Sequence, residues 1–192
     1  MSPASDFGET TMDTARGQLL IAGPALLDPN FWRTVVLIVE HNDDGALGLV
    51  LNRPSETSVG EAVPQLEALL DSDDSLYIGG PVQPSSVIVL AQFEDRADAA
   101  LLAFDDVGVL GAGAGLDEPV AGVRRGRAFV GHAGWGPGQL DGELERGDWI
   151  VESATLGDAF STAAPQLWSE VLTRKGGSYA LVARMPPDPS VN

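Results

Sequence analysis

The side chains of this chain that could do chemistry are few, and most of them stand beside glycine or proline. Asn52 and Arg53 end an apolar run and precede a proline. Trp135 lies in a glycine-rich stretch, and Gln139 and Glu143 follow it one helical turn apart, so a helix would place them on one face. Such polar groups can bind a ligand, but more often they satisfy backbone amides and carbonyls. The candidate binding residues are therefore Asn52, Arg53, Trp135, Gln139 and Glu143, with the backbone role favoured.

Familiar catalytic patterns are missing from the sequence. The chain has no cysteine, which excludes disulfides, thiolate metal sites and a cysteine nucleophile. Its glycine-rich stretches match neither GxGxxG before a helix nor GxxxxGK[ST], since the only lysine is Lys175. No GxSxG is present, and Ser85 and Ser86 after a glycine turn are only a weak hydrolase signal. The sequence predicts no catalytic residue and no cofactor.

One histidine stands beside acidic residues. His41 lies close to Asp43 and Asp44 at the end of an apolar run, and carboxylates with an imidazole can hold a divalent cation. A solvated turn is the commoner outcome for such a cluster, so no metal site is predicted.

The charge of the chain is strongly negative. It contains 28 acidic and 11 basic residues, which gives a formal net charge of −17. Such a surface repels phosphate backbones, so direct nucleic-acid binding is disfavoured. Arg124, Arg125 and Arg127 form the only basic cluster, and a solvated loop is the usual role of a cluster this small. The partner expected from these features is an unidentified protein.

Two segments must position the candidate residues. Residues 33–41 and 46–53 are apolar and β-branched around Asn-Asp-Asp-Gly, which predicts a hairpin buried on both faces. Residues 128–130 predict a strand that turns sharply in the glycine run 131–138. A helix then follows until Gly147, and a strand spans residues 148–152.

The remaining pattern completes a mixed fold. Residues 58–70 predict a helix interrupted at Pro64, and residues 165–175 predict a last helix before two glycines. Other strands are predicted by apolar runs bounded by turn residues, at 18–23, 76–78, 87–92, 100–104, 107–110 and 179–183. Residues 111–115, GAGAG, predict a flexible loop. No run is long and apolar enough to span a bilayer, so no membrane contact is expected.

Three separated motifs resemble the bacterial YqgE/AlgH family. They are GHAGWGPGQLDGEL at 131–144, VVLIVEHNDDGALGLVLNRP at 35–54 and GGPV at 79–82. The resemblance extends from Gly17 to Ala183 and implies a compact single-domain α/β protein of unsettled activity. One member's name implies transcriptional regulation of exopolysaccharide synthesis. The family more often has an aromatic residue where His132 stands here, which argues against an obligatory catalytic imidazole.

We expect an α/β (α+β) fold: one domain with a curled, mainly antiparallel, pseudo-barrel-like sheet flanked by three or four helices. The domain should span residues 16–184, between disordered tails at 1–15 and 185–192. The function expected first is that of a cytoplasmic, non-enzymatic binding or regulatory protein.

Two alternatives remain. The first is a small-ligand-binding protein or hydrolase-like enzyme with a pocket between the turns at 52–54 and 134–139. If both turns lie at one end of the sheet, Arg53 could reach Glu143. The second and weaker alternative is a regulator that binds DNA directly.

Overall fold

A curled β-sheet of ten strands dominates the computed structural model, which describes residues 14–111 and 122–187. The sheet runs in the order β10-β1-β2-β3-β9-β6-β8-β7, and β4 pairs with β5, which pairs in turn with β9. Every pairing is antiparallel except that of β5 with β9. The strands are β1 (Gln18–Ala22), β2 (Val35–Asn42), β3 (Gly45–Val50), β4 (Pro54–Ser58), β5 (Ser75–Ile78), β6 (Val82–Phe93), β7 (Leu101–Phe104), β8 (Val107–Val109), β9 (Val123–Trp135) and β10 (Trp149–Ser153).

The sheet curls without closing. In the part of the chain that the structure describes, its end strands β10 and β7 do not pair, although β7 packs against β2. The predicted single-domain, mainly antiparallel fold is confirmed, and the sheet is an open one. The hairpin predicted around residues 42–45 is formed by β2 and β3.

Five α-helices, where three or four were expected, flank the sheet in the described ranges: α1 (Val59–Ala62), α2 (Gln139–Arg146), α3 (Leu156–Ala159), α4 (Leu167–Lys175) and α5 (Ser178–Val182). The interruption predicted at Pro64 is present, because α1 ends at Ala62 and a 3₁₀ turn begins at the proline. The strand predicted at 179–183 is wrong, since this segment forms α5. Tyr179, Val182 and Ala183 face the core at helical spacing, and α5 folds back on α4 after Gly176 and Gly177.

The glycine run does not turn where the sequence predicted. Strand β9 continues through it to Trp135, and the turn comes only at residues 136–138. The glycines instead allow two backbones to approach each other: a Cβ on Gly80 would lie 2.2 Å from the carbonyl carbon of His132. Gly131 has a φ of +66° and faces the irregular stretch of β6 between Val82 and Val87, where the pairing of β6 with β9 shifts register. Glycine therefore serves strand packing here as well as the turn.

Three apolar clusters fill the part of the domain that the structure describes. The largest lies between the sheet and α3–α5, the second lies between the sheet and α2, and the third lies under α1 and the following turn. No helix within the described ranges has the length and hydrophobicity needed to cross a membrane. The described ranges leave out residues 112–115 of the predicted loop, residues 1–13 of the first predicted tail and residues 188–192 of the second. Ala15 is described and is buried in the second cluster.

Candidate functional site

Asn52 and Arg53 hold the loop that precedes β2. The Asn52 side chain accepts a hydrogen bond from the Val35 amide and donates one to the Arg33 carbonyl, both at 2.9 Å. The Arg53 guanidinium donates to three carbonyls of the same loop, those of Pro29 (3.0 Å), Asn30 (2.6 Å) and Trp32 (3.3 Å). Burial lowers the pKa of Arg53, and the nearby Asp28 carboxylate offsets only part of this shift. Both side chains therefore fix the backbone at the start of the central hairpin.

Trp135, Gln139 and Glu143 form a second hydrogen-bonded group around the start of α2. One carboxylate oxygen of Glu143 accepts the indole N–H groups of both Trp135 and Trp149, each at 2.8 Å. Gln139 donates to the other oxygen at 3.1 Å and accepts the Gly136 amide at 3.0 Å. This group joins β9, α2 and β10.

The two groups do not share one pocket. Trp135 pairs with Ala46 at the first end of β3, whereas Asn52 and Arg53 follow the opposite end of that strand. Arg53 donates to loop carbonyls and makes no hydrogen bond to Glu143. The predicted approach of Arg53 to Glu143 is therefore wrong, because β3 separates the two turns. None of the three cavities described below is lined by both turns.

Alternation along β9 places Arg124 on one face of the strand and Arg125 and Arg127 on the other. Arg124 approaches Asp106 at 3.9 Å, and Arg125 lies over the Phe160 ring at 5.7 Å. Arg127 points inward with its guanidinium 4.3 Å from the centre of the Tyr77 ring. No continuous basic patch results from these three residues.

A polar cavity opens beside Arg127. It has a volume of about 280 Å³ and is lined by Leu70, Asp73, Asp74, Ser75, Tyr77, Gly126, Arg127, Ala128 and Thr162. No sequence motif predicted this site. A signal was available, because Arg127 and the buried Phe129 lie two residues apart on a strand and therefore share the face that packs on the core.

Two further cavities border the free side of β10 and the C-terminal segment. The larger, about 560 Å³, lies between β10 and α5, and the only lysine, Lys175, donates there to the Val151 carbonyl at 2.8 Å. A lysine bonded to an outer strand blocks pairing with another chain. The smaller cavity, about 90 Å³, lies where Arg33 stacks on Trp168 at 4.3 Å and binds the Met185 and Pro186 carbonyls.

The two histidines have different surroundings. His41 is buried, accepts the Ala15 amide at Nδ1 (3.0 Å) and approaches Asp141 through Nε2 (3.5 Å). It therefore holds the segment before β1, whereas Asp43 and Asp44 are exposed. His132 is half-buried, and its Nδ1 atom is fully covered without a hydrogen-bond partner in the described residues. Burial lowers the pKa of His132.

The burial of His132 predicts a loss of stability in acid. Its pKa is lower in the folded chain than in the unfolded one, so the unfolded chain binds more protons below about pH 6.5. Stability is complete above that pH and falls as the pH drops toward the folded pKa. Urea unfolding between pH 8 and pH 5 should show this decline, and His132→Phe should make it shallower. An unchanged slope in His132→Phe would contradict the assignment.

Comparison with known proteins gives a consistent result. The AlgH-like family model (DUF179) matches residues 19–180. A UPF0301 protein of Streptomyces coelicolor is 41% identical over 193 residues, covering 96% of this chain and 99% of that protein. A UPF0301 protein of Nocardia farcinica is 43% identical over 175 residues, covering 88% and 82% of the two chains.

Two solved structures have the same fold. The crystal structure of protein DIP2367 from Corynebacterium diphtheriae matches with a TM-score of 0.80 and 30% identity, over 88% of this chain and 92% of that one. The solution structure of AlgH from Pseudomonas aeruginosa matches with a TM-score of 0.64 and 27% identity, over 97% and 98%. The sequence and structure comparisons agree, and this chain belongs to the bacterial YqgE/AlgH family.

Proposed function

We propose that this chain is a cytoplasmic, non-enzymatic binding protein that regulates by contacting another protein through one exposed face of its sheet. The observation that carries the proposal is a row of apolar side chains, Ile78, Val130 and Val87, on three neighbouring strands. Ile78 and Val87 both pair with Val130, from opposite sides of β9. Ile78 is 45% exposed, and Val87 is 39% exposed. We call these three residues the apolar row.

The row continues a face that is covered elsewhere. Leu76 on β5 and Ala128 on β9 lie two residues before the row, and Val89 on β6 lies two residues after it. All three are buried in the cluster under α1. That covering ends before the apolar row, and Val82 at 38% exposure lies beyond it. A contiguous apolar surface across three strands is typical of a protein interface.

The occupant that fits this surface is a protein with an apolar centre and a basic rim. The net charge of −17 favours a basic partner. Exposed Glu56 lies on β4, which pairs with β5 beside the row. Regulation by protein contact also agrees with the dispersal of the arginine cluster, which leaves little surface suited to a phosphate backbone.

The polar candidate residues support a binding role over a catalytic one. Asn52 and Arg53 are bonded to loop backbone, and Gln139 and Glu143 are bonded to α2 and the two indoles. Groups that hold backbone and indole N–H in this way are poorly placed to react with a substrate as well. We therefore assign these residues to the fold and the apolar row to function.

The test compares partners captured by the native chain and by the double variant Ile78→Thr, Val87→Thr. Threonine keeps the β-branched shape that strands favour and removes apolar contact. We expect a partner retained by the native chain to bind about tenfold or more weakly to the variant. Its binding to the native chain should also weaken as salt rises, because the rim is electrostatic.

Leu27→Thr is the matched control, since Leu27 is 74% exposed in the loop before β2 and lies outside the row. This variant should bind the partner as the native chain does. Equal binding by the double variant and the native chain would overturn the proposal. So would light scattering that shows a dimer broken by the double variant, because the row would then be covered by a second copy.

A further inference from the structure

Beyond contact with a protein, we propose that the cavity beside Arg127 binds a small zwitterion. Its carboxylate would lie on the Arg127 guanidinium and its ammonium group on Asp73 and Asp74. The ligand class is that of free amino acids and short ω-amino acids.

Arg127 is the cationic wall of the cavity, and its charge lacks a bonded counterion among the described residues. Its two terminal nitrogens donate to the carbonyls of Ala159 (3.3 Å) and Ser161 (2.8 Å). No carboxylate oxygen of the described residues lies within 4.0 Å of it. A guanidinium has more N–H donors than these two bonds use.

Burial makes an anion favourable at this position. Burial lowers the pKa of Arg127, and Tyr77 and Asp74 partly offset that effect. Removing a cation from water is costly, and the contact with the Tyr77 ring offsets only part of that cost, so the approach of an opposite charge is favourable. The two carbonyls and the Tyr77 ring already hold the guanidinium in place, so a carboxylate would bind to N–H donors whose positions are fixed in advance.

The rest of the wall disfavours a simple anion. Asp73 and Asp74 line the same cavity and are exposed, so both carboxylates are available to a cation. Their side-chain oxygens make no hydrogen bond to the described residues, whereas their backbone groups do. Together with the net charge of −17, they would repel inorganic phosphate or a dicarboxylate. A ligand with one negative and one positive end can pair with Arg127 and with the two aspartates at the same time.

The space between two diverging strands sets the size of the ligand. β5 and β9 pair only through Tyr77 with Phe129 and Ile78 with Val130. The cavity is lined by residues that precede these pairs on both strands, including Ser75 and Gly126. Its volume of about 280 Å³ lies just below the range of drug-sized pockets. A ligand as small as an amino acid fits such a space.

The experiment is a titration of the ¹⁵N-labelled full chain, followed by the amide signals of Ser75, Gly126 and Thr162. The probes are glycine, β-alanine and γ-aminobutyrate, which separate the two charges by increasing lengths. Acetate, ethylamine and inorganic phosphate each carry charge of only one sign and are the controls. We expect at least one zwitterion to saturate these signals, with acetate and ethylamine about tenfold or more weaker.

Two variants test the two walls separately. Arg127→Gln should weaken the zwitterion about tenfold or more, while Arg125→Gln, on the same strand, should not. The double variant Asp73→Asn, Asp74→Asn should weaken the zwitterion and strengthen acetate, because repulsion of the carboxylate is removed. If Arg127→Gln fails to fold, this double variant decides the test.

Three results would overturn the inference. The first is that no zwitterion saturates the signals of the three amides. The second is that acetate or phosphate binds the native chain as tightly as the zwitterions do. The third is that the Asp73 and Asp74 changes leave the preference for zwitterion over acetate unchanged. Loss of the partner described above would not affect any of these readouts, so the two proposals fail independently.

Discussion

Asp158→Ala should lower the free energy of unfolding by about 3 kcal/mol, because it breaks a buried ion pair. Asp158 is 3% exposed and accepts the amide and hydroxyl of Thr155 at 2.9 and 2.8 Å. It also accepts two bonds from Arg174, at 2.8 and 2.9 Å. Broken buried ion pairs cost about 3–5 kcal/mol, and the lower value applies because the Arg174 side chain is 42% exposed.

The matched control is Asp148→Ala, because Asp148 also pairs with an arginine at 2.8 Å. The Arg146 and Asp148 side chains are 63% and 34% exposed, so this change should cost about 1 kcal/mol or less. Urea unfolding with equal m-values for the three proteins is the measurement. Equal losses in the two variants would show that burial does not decide the strength of these pairs.

The Asp158 prediction also concerns the Arg127 cavity. Asp158 anchors α3, and the carbonyls of Ala159 and Ser161 that hold Arg127 follow it directly. Loosening α3 should therefore weaken zwitterion binding as well as lower stability. In Asp148→Ala, whose pair lies at the end of α2, binding should be unchanged.

Local turn chemistry made much of the fold predictable. Asn42 and Gly45 enclose the β2–β3 turn, where the Asn42 side chain accepts the Asp44 amide. Ser58 and Glu61 form the capping box that their spacing predicts. Gly147 ends α2 with a φ of +75°. Each of these features depends on a few neighbouring residues, so the sequence alone contains the needed information.

Long-range pairing was not predictable in the same way. The path of β9 depends on Gly79 and Gly80 reaching its backbone from far along the chain, so a glycine run typical of a turn became a strand. Which end of β3 lies beside Trp135 depends on the register between β3 and β9, and no local sequence pattern indicates that register. For the same reason, the site beside Arg127 assembles segments near residues 74, 127 and 162 that no local motif connects.

Glu143→Leu should lower the free energy of unfolding by about 2–6 kcal/mol. Both indole N–H groups that Glu143 accepts belong to buried tryptophans, Trp135 and Trp149. Without the carboxylate, each buried donor loses its only partner in the described residues, at a cost of about 1–3 kcal/mol each. The Phe31 ring, which lies 6.2 and 5.6 Å from the two tryptophan rings, cannot replace the acceptor.

Glu143→Gln separates the acceptor from its charge. The amide keeps one oxygen that can accept both indoles, so the loss should be about 1 kcal/mol. Glu145→Ala is the surface control on the same helix, because Glu145 is exposed, and it should be nearly neutral. Urea unfolding and the near-ultraviolet signal of the tryptophans are the measurements. If Glu143→Leu were as stable as the native chain, Glu143 would be free to serve a ligand, and its assignment to the fold would be wrong.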